Sequence, residues 1–258
     1  MPQDKILVGG IPKLKPRPLF NKHCPGCGHP LVERIVGDII EELDIENRVV
    51  TISSAGCSSS FCVRVATTDG FLGPHGRSCD IATAMKAIYP ENLVYTVQGD
   101  GDCIAIGAEG TINAAARAEP ITVIMVNNAG DGTTGGQMAP TTLVGQVTTT
   151  TPQGRSTQNG FPVHVAEMLA TMKGVVYSAR GSVHTPAQYQ KTQRYIKTAF
   201  QKQLDHKGFS FVEILSMCPP DWHMTPIDSL KFIEEKMVPE FPLGVFKDAE
   251  GVYGHANS

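Results

Sequence analysis

From Pro30 onward the apolar positions Leu31, Ile35, Ile39 and Leu43 recur at helical spacing, and Val32, Val36 and Ile40 widen the stripe into a buried face. A helix is predicted there. Residues 49–53 then read as a strand and 81–89 as a helix, after which the aliphatic run 93–97 leads directly into Gly99-Asp100-Gly101. A small-residue helix over 104–118 precedes a strand over 121–126. Beyond a loop rich in Thr, Gly and Pro (127–160), the alternation resumes with helix 163–172, strand 175–179, long helix 186–204 and strand 209–215. Alternating strands and helices predict an α/β fold, with a mainly parallel sheet covered by helices on both faces. Residues 1–23, rich in Pro and Lys, read as an N-terminal arm, and 24–218 as the domain. Residues 219–258 hold one short helix around 230–237 and otherwise read as a C-terminal extension packed over the domain or a partner.

The chain has 258 residues, 41% hydrophobic and 18% charged. At this length folding buries roughly three quarters of the unfolded surface, so the core needs neither disulfides nor a structural metal. A metal-like cysteine pattern therefore calls for a chemical explanation. The net charge of −3 and the absence of a Lys/Arg block exclude nucleic acid and anionic membrane surfaces as expected partners. The longest aliphatic runs are strand-sized, well short of the ~20 residues of a membrane span. The first residues, MPQDKILVGG, lack the pattern of a secretory signal, so the expected location is cytoplasmic. In that reducing compartment the seven cysteines are expected as thiols or metal ligands.

In open parallel sheets ligands sit at the carboxyl ends of strands, where loops converge and helix N-termini point free N–H groups. Gly99-Asp100-Gly101 and Asn127-Asn128 both fall at such ends. The glycines let the backbone approach a diphosphate, Asp100 offers a hard anionic oxygen, and Asn128 with a nearby carbonyl adds neutral oxygens suited to Mg²⁺. Gly-Asp-Gly alone marks many plain turns; joined to a paired Asn after the next strand it resembles the thiamine diphosphate signature. That resemblance implies a thiamine diphosphate-binding fold of the pyrophosphate type. It makes Asp100 and Asn128 side-chain ligands of Mg²⁺, with Gly130 supplying a backbone carbonyl and Asn127 structural.

Cys24-Pro25-Gly26-Cys27, flanked by His23 and His29, is a CxxC that fits zinc, a redox dithiol, a cluster or a helix start. Cys57 and Cys218, each in a turn-like setting, would complete four thiolates, and spacing alone does not separate zinc from [4Fe-4S]. Taken whole, residues 20–247 resemble the β subunit of the 2-oxoacid:ferredoxin oxidoreductases, in the 2-oxoisovalerate/2-oxoglutarate group. The motifs are CPGCGH, AGCSSSF, HGR, GDGDCIAIG, VNN, TGGQMAPTT and LSMCPP, in that order. The resemblance implies one [4Fe-4S] cluster on Cys24, Cys27, Cys57 and Cys218. Cys62, Cys79 and Cys103 match no ligand position and are expected to be buried small side chains.

The implied reaction is oxidative decarboxylation of a 2-oxoacid to an acyl-coenzyme A, with electrons passing through the cluster to ferredoxin. A thiazolium supplies the electron sink. No place is evident for the glutamate-bearing pyrimidine domain, which the family carries on an α subunit. The chain alone is therefore expected to be inactive, and the expected partners are that α subunit, with or without γ and δ subunits. Candidate cofactor-binding residues are Gly56, Cys57, Ser58, His75, Gly99, Asp100, Gly101, Asp102, Asn128, Gly130, Gly132 and Thr133. His75, Arg77 and Thr134 are the candidate catalytic residues, Arg77 otherwise reading as a surface ion pair. Relatives specialised for 2-oxoglutarate often place a Lys in the TxGQ stretch, where this chain has Gly135. Burying an unpaired distal carboxylate is costly, which favours a branched-chain or aryl oxoacid, with 2-oxoglutarate still possible. Two rivals remain: a zinc-stapled α/β binding module without redox activity, and a plain thiamine-dependent decarboxylase or synthase that leaves the four cysteines unexplained.

Overall fold

The structure, a computed structural model, describes residues 23–64 and 68–252. The expected N-terminal arm up to residue 22, and residues 253–258 of the expected extension, lie outside the described residues. The strands are β1 (Val49–Ser54), β2 (Asp69–Gly73), β3 (Leu93–Gly99), β4 (Thr122–Asn127), β5 (Val175–Ser182), β6 (Phe209–Leu215) and β7 (Gly244–Asp248). They form one sheet in the order β2-β1-β3-β4-β6-β5-β7, parallel throughout except where β7 runs antiparallel against β5.

Among the described residues the α-helices are α1 (His29–Leu43), α2 (Phe61–Arg64), α3 (Ser78–Ile88), α4 (Ala108–Ala116), α5 (Val165–Ala170), α6 (Pro186–Leu204), α7 (Pro219–Trp222), α8 (Pro226–Phe232) and α9 (Val238–Glu240). Alternation along the central strands feeds two cores. Tyr95, Val97, Ile124 and Val126 face α1 and α6, whereas Val94, Val123 and Met125 face the side of α3, α4 and α5. Val32, Ile35, Val36, Ile39 and Ile40 of α1 are all fully buried, which at roughly 1.5–3 kcal/mol per side chain docks α1 on the sheet. A charge at Ile39 would undo that docking.

Two strands were not expected. β2 and β7 are the sheet edges, β2 largely exposed and β7 half-buried, and their glycine-bearing sequences DGFLG and GVFKD carry no alternation. The expected helix over 104–118 starts later, because a widened turn over 102–106, closed by Gly107 N–H to the Asp102 carbonyl at 2.9 Å, precedes α4. No helix among the described residues is long and apolar enough to cross a membrane. Because the inner strands are parallel, β1, β3, β4 and β6 end on one edge of the sheet. Ser54, Gly99, Asn127 and Leu215 deliver their following loops to the same place.

Candidate active site

Asp100 follows β3 and is almost completely buried. Its Oδ2 accepts from Gly130 N–H at 3.1 Å and from the Thr141 hydroxyl, while Oδ1 is buried with no partner. Burial pushes its pKa up to about 7. An orphaned hard oxygen at the bottom of a cavity that Asn128 and Gly130 also line fits a divalent cation. Asn127 is committed elsewhere: its Nδ2 donates to Glu213 Oε1 at 2.7 Å and its Oδ1 accepts from Ala129 N–H at 2.9 Å.

Asp102 uses both oxygens within the protein. Oδ1 accepts from Gly76 N–H at 2.5 Å and is paired with His75 Nδ1, and Oδ2 accepts from the Ser54 hydroxyl and from Gln98 Nε2 at 3.1 Å. It therefore orients the 75–76 loop and His75, which lines the cavity.

The four candidate cysteines surround a second cavity of about 600 Å³. Gly28 N–H donates to the Met217 carbonyl at 3.2 Å, which staples the CxxC turn to the loop carrying Cys218. A Cβ at Gly28 would collide with Ser216 Oγ, so only glycine permits that approach. Cys57 is carried past β1 by Gly56, whose φ of 136° belongs to glycine. Burial pushes Cys27 up to about 12 and raises Cys57 and Cys218 as well. Such thiols are poor nucleophiles and become thiolates when a bound cation compensates them. Four cysteine sulfurs around one cavity of this size fit an iron–sulfur core. The two cavities share the wall made by His29, Gly56, Cys57, Asn128, Gly132 and Thr133.

Residues 54–214 match the thiamine pyrophosphate enzyme, C-terminal TPP binding domain. The ketoisovalerate oxidoreductase subunit VorA of Methanothermobacter thermautotrophicus is 39% identical over 232 residues, covering 90% of this chain and 48% of that protein. The 2-oxoglutarate synthase subunit KorB of Methanocaldococcus jannaschii is 35% identical over 226 residues, covering 83% of this chain and 77% of that protein. The chain belongs to the 2-oxoacid:ferredoxin oxidoreductase subunit family. It spans about half the length of the VorA relatives and about three quarters of KorB. Its fold is shared with the 2-oxoglutarate:ferredoxin oxidoreductase of Magnetococcus marinus, at a TM-score of 0.79 and 24% identity over 92% of this chain and 84% of that one.

Within this oxidoreductase-family chain, most expected site residues meet at the two cavities. Gly56, Cys57, Ser58, His75, Gly99, Asp100, Asp102, Asn128, Gly130, Gly132, Thr133 and Thr134 line the first, and Gly101 packs against the Asp131 carboxylate beside it. Thr134 is held by its own loop, its hydroxyl donating to Gln137 Oε1 at 2.6 Å. Arg77 is not brought in. It faces solvent at the start of α3 and pairs with Asp80 at 3.6 Å and Glu109 at 3.9 Å, the surface ion pair that was its other expected reading.

Cys79 and Cys103 are buried as expected, but Cys62 is only partly buried and lines the thiol cavity, its Sγ donating to the Ser59 carbonyl at 3.2 Å. Its place on α2, directly after the Cys57 loop, turns it toward that space. His29 is buried against Cys27 (3.4 Å) and Ser58 (3.3 Å), and burial with neighbouring His23 lowers its pKa to about 3, so it is neutral. Sequence reasoning gave no role to Thr141, Ser54 or Asp221. The paired threonines of APTT and the Asp after CPP are the only local signals for two of them.

Proposed function

We propose that this chain is the cofactor-bearing β-type subunit of a 2-oxoacid:ferredoxin oxidoreductase. It holds thiamine diphosphate through Mg²⁺ on Asp100, Asn128 and the Gly130 carbonyl, and a [4Fe-4S] cluster on Cys24, Cys27, Cys57 and Cys218. The observation that carries this reading is the shared wall: a cavity with an orphaned Asp100 oxygen abuts one ringed by four cysteine thiols. When bound, the thiazolium supplies the electron sink for decarboxylation, and the iron–sulfur core takes up electrons singly for ferredoxin.

The residues of this chain have separable tasks. The glycines at 99 and 101 admit the diphosphate, Thr141 and Gly130 N–H orient Asp100, and Asp102 holds His75 Nδ1 so that the ring's other nitrogen serves the cavity. Thr133, whose hydroxyl lies 2.8 Å from Cys57 Sγ, spans the wall between the two sites. The substrate side chain favoured here is uncharged, branched-chain or aryl. Gly135 offers no cation for a distal carboxylate, and Asp131 adds a negative charge to the cavity lining. Coenzyme A accepts the acyl group, and an α subunit with the pyrimidine-binding domain completes the site, with or without γ and δ subunits.

The test is anaerobic co-purification with the neighbouring subunits, followed by iron, sulfide and zinc analysis and an oxoacid panel with an electron acceptor. Iron and sulfide, bound thiamine diphosphate, and turnover only in the complex are expected, with a branched-chain or aryl oxoacid preferred. Zinc without iron or sulfide would favour the zinc-stapled module, for which His23, Cys27 and His29, with ligand atoms within 4.8 Å of one another, are the candidate set. Robust oxidation by the single chain would remove the α subunit from the account, and 2-oxoglutarate as best substrate would overturn the substrate preference.

A further inference from the structure

We propose that Asp221 sets the reduction potential of the cluster on Cys24, Cys27, Cys57 and Cys218, holding it low; this rests on the iron–sulfur reading above. Pro219 and Pro220 open α7 immediately after Cys218 and fix its first turn, which places Asp221 back over the cysteine. Asp221 Oδ2 lies 3.1 Å from Cys218 Sγ. The same carboxylate occupies the space where side chains at 132 and 136 would be, since a Cβ at Gly132 would collide with Oδ2 and one at Gly136 would lie 3.4 Å from Oδ1. It is thus wedged between a ligand sulfur and the 132–136 loop, part of which lines the thiamine cavity.

The carboxylate is not free to swing away. Buried Trp222, its neighbour, donates from Nε1 to the Asn128 carbonyl at 3.0 Å and anchors α7 to the cofactor loop. Among the described residues lining the two cavities there is no Lys or Arg to offset Asp221. The ionisable groups that face it are Asp131 and the thiols of Cys57 and Cys218, none of them a cation.

Loading the cluster removes the proton that Cys218 now shares with Asp221, leaving a carboxylate against a ligand sulfur whose other partners there are the Asp221 backbone N–H and the Asn128 side chain. Reduction adds one electron to the core, so the carboxylate raises the energy of the reduced form more than that of the oxidised form. Net charge and hydrogen bonds to the sulfurs are the levers that set cluster potentials, and a partly buried carboxylate is screened less than a surface one. Asp221→Asn reverses both levers, deleting the charge and presenting an N–H donor to the Cys218 sulfur.

The experiment is a mediator titration with dithionite on the anaerobic complex, following the electron paramagnetic resonance signal of the reduced cluster. With D221N, iron and sulfide per chain stay unchanged and the reduced-to-oxidised ratio at fixed poise rises at least tenfold, an upward shift of about 59 mV for a one-electron couple. A fully loaded D221N cluster whose ratio stays within threefold of the unaltered complex would overturn the proposal. D221S, smaller and neutral, carries the same expectation. If neither variant retains a cluster, Asp221 is an assembly residue and the proposal fails. Iron and sulfide missing from the unaltered complex would instead sink the iron–sulfur reading itself, so the two failures are distinguishable.

Discussion

Replacing Arg180 with Met tests the buried ion network that underlies the Asn127–Asn128 corner. Arg180 is fully buried on β5, its Nε 2.9 Å from Glu213 Oε2 on β6. At that distance the pair is held chiefly by charge. The guanidinium also makes a two-pronged pair with Glu167, donates to the Pro242 carbonyl at 3.0 Å, and packs against Phe241 and Phe246 with ring centroids at 5.3 and 5.1 Å. Glu167 is about one-third exposed and can rehydrate when the arginine is lost; Glu213 is 0% exposed and cannot. Glu213 therefore decides the magnitude. Stranding a buried carboxylate costs about 3–5 kcal/mol, and Met retains much of the apolar packing, so R180M is expected to lose about 4 kcal/mol. For a chain of this size that lowers Tm by roughly 8–16 °C, read by circular dichroism at fixed protein and cofactor concentration. Adding Glu213→Gln removes the stranded charge while keeping an acceptor for Asn127 Nδ2, and should recover more than half of the loss. A fall of less than roughly 3 °C in R180M, or a double variant no more stable than R180M, would refute this account.

Three further outcomes are expected. Thr141→Val deprives Asp100 of the hydroxyl that orients it and should weaken Mg²⁺-dependent thiamine diphosphate binding about 10–100-fold, as read by tryptophan fluorescence titration; an unchanged affinity would count against Asp100 as the ligand. Because burial raises Asp100 from 3.8 to about 7, the cofactor-free fold holds a proton that the unfolded chain releases. Its stability should therefore fall as pH rises from 3.8 through about 7, while Mg²⁺ binding should strengthen up to about 7 with proton release and level off above it, measurable by calorimetry in buffers of different ionisation enthalpy. Gly28→Ala forces a methyl group into Ser216 Oγ and breaks the staple to Met217; it should cost about 1–3 kcal/mol and lower iron per chain, and full iron loading at unchanged Tm would contradict the staple.

The interior of this fold was legible because β3 and β4 are buried on both faces and read as near-continuous apolar runs, and β1, β5 and β6 keep strand-length apolar stretches despite buried polar residues such as Arg180 and Glu213. The edges were not. β2 and β7 are specified by the neighbour they pair with, and neither DGFLG nor GVFKD carries a local signal of that pairing. The same division runs through the site. Asp100, Asn128 and the CxxC turn sit in motifs whose glycines and prolines dictate the backbone, so their positions could be read directly. Thr141 reaches Asp100 across 41 positions of sequence, and Asp221 enters the site because its carboxylate lies against Cys218 Sγ and over glycines 132 and 136. Arg77 misled for the converse reason. Its proximity to His75 in sequence suggested a shared site, but the first turn of α3 points it at Asp80 and away from the cavity, while His75 is drawn inward by Asp102. Sequence adjacency locates a loop, and the long-range partner decides which of its side chains faces the chemistry. By that criterion Cys62 belongs with the thiol cavity and Cys79 with the core, although no motif distinguishes them.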